Sequence, residues 1–204
     1  MVAIVDYGVG NLFSLQRSFA AIGQEAVVTA DPKTLEKADK LLLPGVGAFG
    51  DAAQKLRSSG LDKVVVAEAK KGKPLMGICL GMQLLFEEGY EYGIHKGLGL
   101  IPGKVVAMKG VIPEALKIPH MGWNALDFQK ESPLFSHIKD KDCVYFVHSF
   151  YATDCEEAVI ATAQYGAPLT AAVQKGNIFG CQFHPEKSGT VGLNILRAFA
   201  EMEG

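Results

Sequence analysis

The sequence predicts an α/β fold: a mostly parallel, doubly wound sheet flanked by helices, with an antiparallel or mixed C-terminal part. Three observations carry this. Up to Gly89, short apolar runs alternate with amphipathic stretches, the rhythm of strand and helix in turn. After Gly89, strand-like pieces follow one another with turn residues between them. The chain then closes on a further amphipathic helical stretch.

The first run, VAIVD, leads into LFSLQRSFAAIG, where Leu12, Leu15, Phe19 and Ile22 fall at helical spacing. EAVVTA is followed by DPKTLEKA, in which Asp31 before Pro32 reads as an N-cap with proline at the first helical position. KLLLPG precedes two amphipathic stretches, DAAQKLRSSG and LDKVVVAEAKKGK, and PLMGIC precedes LGMQLLFEEG. Beyond Gly89, KVVAM, CVYFVHSFYA, AVIATAQ, and TAAVQ and IFGCQF on either side of KGN read as strands. A helix from about Ser188 to Met202 carries Val191, Ile195 and Phe199 on one face. No repeat, low-complexity tract or linker interrupts this order, so one domain is expected over residues 1–204.

Composition narrows the function. With 204 residues, 49% of them hydrophobic and 21% charged, the chain is able to bury a full core. A formal charge of -2, a pI near 6.2 and scattered lysines leave no footprint for a polyanion, so nucleic acid is not an expected partner. The start MVAIVDYGVG lacks the basic and long apolar regions of a signal peptide, and no apolar run is long enough to span a bilayer. A cytoplasmic protein with no membrane partner is expected. The four cysteines form no CxxC pair, so neither a disulfide framework nor a metal site is indicated, and most should be reduced core filler. GVGN follows a strand and opens a helix, but the third position of a dinucleotide fingerprint is Phe13, and no P-loop is present. No cofactor is expected.

Chemistry enters at GICLGMQ. Cys79 follows PLMGI and precedes LGMQLLF, which puts it at the carboxyl end of a strand, where open parallel sheets gather reactive groups. Gly77-Ile78-Cys79-Leu80-Gly81 has the G-x-nucleophile-x-G form of a nucleophile elbow, a strained turn whose small neighbours permit unusual backbone angles and close packing. Unpaired amides at the following helix start favour a thiolate, and the amide of Leu80 is placed to receive an oxyanion. Alone, the pattern fits a buried cysteine at a tight turn as well as a nucleophile.

FHPEKS supplies what such a cysteine lacks. Pro185 pushes His184 into an extended conformation, so His184 and Glu186, two apart, share a side. That pair provides a base to take the thiol proton and a carboxylate to fix the tautomer of the base. The other histidines, His95, His120, His137 and His148, lack a following acid at this spacing and read as loop or core residues with respect to catalysis.

GICLGMQ and FGCQFHPEKS together resemble the class I, triad-type glutamine amidotransferases, over essentially the whole chain. Within that class, DYGVGNLFS, LPGVGAFGD, IPHMGWN and YFVHSF are similar to the glutaminase subunits of imidazole glycerol phosphate synthases of histidine biosynthesis. The resemblance implies that Cys79 attacks the side-chain amide of L-glutamine, His184 protonates the departing ammonia, Glu186 orients His184, and water hydrolyses the resulting thioester. It also implies that Gln83 and the backbone of Gly47, Ser149 and Phe150 hold the amino-acid end of glutamine, and that the amides of Val46 and Leu80 receive the oxyanion. The ammonia would pass to a separate cyclase subunit, a (β/α)8 barrel for which this chain has no room, giving a heterodimer. Asn11, His120, Met121, Trp123, Asn124, Tyr145 and Lys187 would line or approach that interface. Two other readings stay open: a glutaminase serving a different class I synthase, and a catalytically silent assembly subunit.

Overall fold

In a computed structural model, which describes residues 1–202, the alternation up to Gly89 becomes strand and helix in turn. The elements are β1 (Val2–Val5), α1 (Leu12–Ala21), β2 (Ala26–Thr29), α2 (Pro32–Lys37), β3 (Lys40–Gly45), α3 (Phe49–Ser58), α4 (Leu61–Lys70), β4 (Leu75–Cys79) and α5 (Leu80–Leu84). Asp31 caps α2 as expected, its side chain accepting from the amides of Lys33 and Thr34. Then follow β5 (Glu88–Gly89), β6 (His95–Lys96), β7 (Lys104–Ala107), β8 (His120–Ala125), β9 (Asp127–Phe128), β10 (Cys143–His148), β11 (Phe150–Thr153), β12 (Val159–Gln164), β13 (Pro168–Lys175), β14 (Ile178–Cys181) and α6 (Gly189–Glu201).

The main sheet has the order β2-β1-β3-β4-β14-β13-β12-β9. Its first five strands pair in parallel and the rest antiparallel. β13 and β14 join through the two residues between Lys175 and Ile178, with Gly176 at φ +58, a tight hairpin connection. Because side chains alternate along a strand, Val2 and Ile4 of β1 enter one core with Leu15 and Phe19 of α1 and Ile195 and Phe199 of α6. Ala3 and Val5 enter the other core with Leu35, Phe49, Leu56 and Val65 from α2, α3 and α4. Helices thus cover both faces, and burying each large apolar side chain contributes about 1.5–3 kcal/mol. All five residues of β4 are buried, as a central parallel strand requires.

Two expected elements end early, each for a visible reason. The helix after Cys79 stops at Leu84, because the backbone of the segment after β6 takes its carbonyls. Leu98 N–H bonds to the Leu84 oxygen at 2.8 Å, and Leu100 N–H to that of Leu85 at 2.9 Å. The run CVYFVHSFYA divides at Ser149, with β10 pairing β8 and β11 crossing to β7. The other small sheet has the order β11-β7-β5-β6. Among the described residues, no helix is long and apolar enough to cross a membrane.

Candidate active site

The elbow around Cys79 is built by close approach. Cys79 has φ +54 and ψ -113, a sparsely populated conformation for a non-glycine residue that costs about 1–3 kcal/mol. Its flanking glycines do not share the left-handed angle; they are needed because a Cβ would not fit. A Cβ on Gly77 would lie 2.6 Å from the Gly81 oxygen, one on Gly81 1.8 Å from the Leu43 oxygen, and one on Gly45 2.6 Å from the Gly81 nitrogen. The start of α5 is therefore pressed onto the end of β3, and β3 pairs Gly45 with Cys79. This packing holds the strained cysteine in place with its side chain 8% exposed on the cavity side.

His184 comes from the chain just beyond β14. Its backbone is extended, and its N–H donates to the Tyr145 carbonyl at 2.9 Å. The Ser188 hydroxyl donates to the His184 carbonyl at 2.6 Å and accepts from the Tyr145 amide at 2.9 Å, which ties this turn to β10. His184 Nδ1 lies 2.9 Å from Glu186 Oε1, with both side chains buried. A carboxylate accepts, so Nδ1 carries the proton and Nε2 is left for the thiol. Burial pushes the imidazole pKa down, but hydrogen bonding to Cys79 and Glu186 and their negative charge outweigh it and raise the pKa to about 9. Glu186 Oε2 is buried without a partner.

Cys79 and His184 line one cavity of about 340 Å³ together with Val46, Gly47, Leu80, Gln83, Ser149 and Phe150. All the residues the sequence assigned to nucleophile, base, oxyanion and substrate thus meet there, with Glu186 behind His184. Gln83 is buried, and its Nε2 donates to the Phe150 carbonyl at 3.2 Å and to Gln182 Oε1 at 2.9 Å. Both amide hydrogens are used, so its own oxygen is the group left for a ligand. Val46 keeps an ordinary negative φ while Gly47 takes +93. Their loop is clamped at both ends: Tyr7 donates to the Pro44 carbonyl, and Phe49 N–H to Glu91 Oε2, each at 2.7 Å.

Three polar residues at the site were not foreseen from the sequence: Glu91 and His148, which line the cavity, and Gln182, which is buried beside Cys79. Glu91 lines the cavity from the loop after β5, and nothing local marks it. His148 is buried at the end of β10, facing the cavity rather than filling a core. Gln182 is fully buried, and its Nε2 donates to Cys79 Sγ at 3.7 Å. Its place follows from register, since β14 pairs Cys181 with Ile78 and so brings the next residue beside Cys79. The alternation that put Glu186 with His184 could have put Gln182 there too.

The expected interface residues divide. Alternation along β8 turns Met121 and Trp123 outward, 61% and 58% exposed, with Trp123 edge-on to Tyr145 on the paired strand. Asn11 is half-buried at the start of α1, Asn124 is half-buried, and Lys187 is exposed on the cavity rim. His120 is 3% exposed and points inward, because its place on β8 has the opposite parity to Met121 and Trp123. Of the other cysteines, Cys155 and Cys181 are buried as expected, whereas Cys143 is exposed.

Comparison with known proteins agrees with this arrangement. The family model described as Glutamine amidotransferase class-I matches residues 3–202. Two curated relatives are each described as Imidazole glycerol phosphate synthase subunit HisH. One, from Syntrophotalea carbinolica, is 48% identical over 206 residues, covering 99% of this chain and all of the relative. The other, from Sulfurimonas denitrificans, is 52% identical over 203 residues, covering 98% of each chain. Two solved structures share the fold. One is described as a glutamine amidotransferase, with TM-score 0.76 at 21% identity over 98% of each chain. The other is PurLQS from Thermotoga maritima, with TM-score 0.77 at 20% identity over 97% of this chain and 96% of that one.

Proposed function

The chain belongs to the class I glutamine amidotransferase family, and from that premise we propose that it is the glutaminase subunit of an imidazole glycerol phosphate synthase. The observation that carries the chemistry is the convergence of the strained Cys79 and of His184 on one cavity, with the buried Glu186 hydrogen-bonded behind His184. Supporting the pathway is the full-length likeness to proteins named as that subunit.

In this reading Cys79 Sγ attacks the side-chain carbonyl carbon of L-glutamine, and His184 Nε2 takes the thiol proton. The amides of Leu80 and Val46 receive the oxyanion. As the tetrahedral intermediate collapses, His184 returns the proton to nitrogen, the C–N bond breaks, and ammonia leaves a γ-glutamyl thioester on Cys79. Water then attacks with His184 as base, the C–S bond breaks, and glutamate and the thiol are regenerated. Glu186 holds Nδ1–H and stabilises the imidazolium formed in each half. Gln83 oxygen and the backbone of Gly47, Ser149 and Phe150 hold the amino-acid end, and Glu91 faces its ammonium group.

The ammonia passes to a cyclase subunit, a (β/α)8 barrel docked on the face that carries Met121 and Trp123. The cyclase joins it to a phosphorylated aminoimidazole carboxamide ribonucleotide, forming imidazole glycerol phosphate and aminoimidazole carboxamide ribonucleotide. Control lies in the PGVG loop. Valine is stiff and resists positive φ, so turning the Val46 amide into the oxyanion site is costlier than at a glycine. Losing one such donor costs about 10²- to 10³-fold in rate. Docking of the liganded partner biases the loop toward its donating form. Glutamate release measured with and without the cyclase subunit and its nucleotide ligand should rise by that order on addition of both; full turnover by the chain alone would overturn the coupling.

A further inference from the structure

We infer that His148 and His120 are positioning residues: a one-directional hydrogen-bond relay, with a single tautomer at each ring, that fixes the Phe150 carbonyl of the glutamine pocket from strand β8. His120 and His148 sit directly opposite each other on the antiparallel pair β8 and β10. His148 Nδ1 lies 2.9 Å from the Phe150 oxygen, and its Nε2 lies 3.0 Å from His120 Nδ1. His120 Nε2 lies 3.3 Å from Asn124 Nδ2.

The direction of every link follows from which atoms are able to donate. A carbonyl only accepts, so His148 Nδ1 carries a hydrogen and, in a neutral ring, Nε2 accepts. His120 Nδ1 must then be the donor to it, which leaves His120 Nε2 as an acceptor. The Asn124 amide meets that need in one orientation: its oxygen accepts from the Ala125 N–H at 2.9 Å, so its nitrogen faces His120 and also donates to the Gln164 oxygen at 2.9 Å. No group in the chain is left facing another donor.

Packing holds the rings in place. His120 lies stacked between Phe146 and Tyr165, with ring centroids 4.9 and 4.1 Å away and interplanar angles of 21° on both sides. At its other end the relay meets the catalytic pocket. The Phe150 oxygen accepts from His148 and from Gln83, Gln83 donates onward to Gln182, and Gln182 donates to Cys79 Sγ. Removing the His148 hydrogen bond would free the carbonyl against which Gln83 is oriented.

Neutrality is consistent with the surroundings. A proton added to either ring would set two N–H groups facing each other. Burial lowers the pKa of His148 to about 3 against the favourable Phe150 contact, helped by the proximity of His120 and His184, and burial also lowers that of His120. The other charged groups lining the cavity that His148 faces are Glu91 and Lys187.

The inference rests on the glutaminase reading, and its test separates the two. In the full chain labelled with nitrogen-15 histidine, the imidazole nitrogens of both His120 and His148 should report the Nδ1–H tautomer at neutral pH, assigned against His120→Phe and His148→Asn. Reaction of Cys79 with a glutamine-analogue affinity label supplies the functional readout. His120→Phe keeps a stacking ring but loses both nitrogens. It should raise the saturation constant for the label about tenfold, the loss of roughly one pocket hydrogen bond, with little change in the limiting rate. His120→Asn, which keeps a donor where Nδ1 was, should restore most of the binding. Either ring found protonated at Nε2, or a folded His120→Phe that binds the label as the wild type does, overturns the relay. Should His120→Phe not fold, the tautomers of the wild-type protein decide alone. Failure of the wild type to label at Cys79 in complex with the cyclase subunit and its nucleotide ligand would instead overturn the glutaminase reading.

Discussion

Gly81→Ala should damage the nucleophile without touching it. The added Cβ would lie 1.8 Å from the Leu43 oxygen, 2.8 Å from the Leu43 carbonyl carbon and 3.0 Å from that of Pro44. All three are backbone atoms of β3, so no side chain is able to swing aside. Ordinary contact begins near about 3.5 Å, and α5 and β3 would have to part by well over an ångström. Overpacking of this kind typically costs about 1–3 kcal/mol, and a rigid backbone obstacle belongs at the upper end. Parting these elements carries Cys79 away from His184, and a displacement of about 1 Å in a reacting group costs roughly 10²-fold in rate. Gly60→Ala is the control: Gly60 has φ +74 but open space around it, so only local strain of about 1–2 kcal/mol is expected, with the site unchanged. Thermal unfolding and the rate of thiol labelling by a glutamine analogue read the two effects. A Gly81→Ala protein that melts and labels like the wild type would refute the close-packing account of the elbow.

His184 gives stability a pH window. Its folded pKa near 9 stands above the unfolded value of 6.5, so its contribution is complete below about pH 6.5 and fades as pH rises through 9. Glu186→Gln, which removes a partner that raises it, should flatten that alkaline loss in unfolding midpoints measured across the range; an unchanged slope would contradict the pairing. Glu91→Gln should raise the KM for glutamine about tenfold, with kcat little affected, if the carboxylate faces the substrate ammonium. Trp123→Ala removes a half-exposed ring, so melting should barely change, while the dissociation constant for the cyclase subunit, read by titration, rises by about tenfold or more.

The parts of the fold that local pattern dictates were legible in the sequence. Helical spacing at Leu15 and Phe19, the Asp31 cap and the buried run of β4 each need only neighbours in the chain. The elbow was legible for the same reason, since GICLG records a steric demand in adjacent residues. What escaped depends on distant segments. The carbonyls of Leu84 and Leu85 are taken by the chain after β6, which shortens α5, and the break at Ser149 exists because β8 and β7 compete for one run. Glu91 reaches the cavity from a loop without a motif, and the partner of His148 lies 28 residues away. Along β8, Met121 and Trp123 face out and His120 faces in, a division set by how the strand pairs with β10 rather than by its residues alone.

The most direct test is to trap the covalent step. Full chain with the cyclase subunit and its nucleotide ligand, turning over L-glutamine, is quenched in acid and its peptides are weighed. The account predicts one glutamyl adduct on the peptide carrying Cys79, with adduct and glutamate release both lost in Cys79→Ala. Continued glutamate release by Cys79→Ala, or an adduct on another residue, would contradict it.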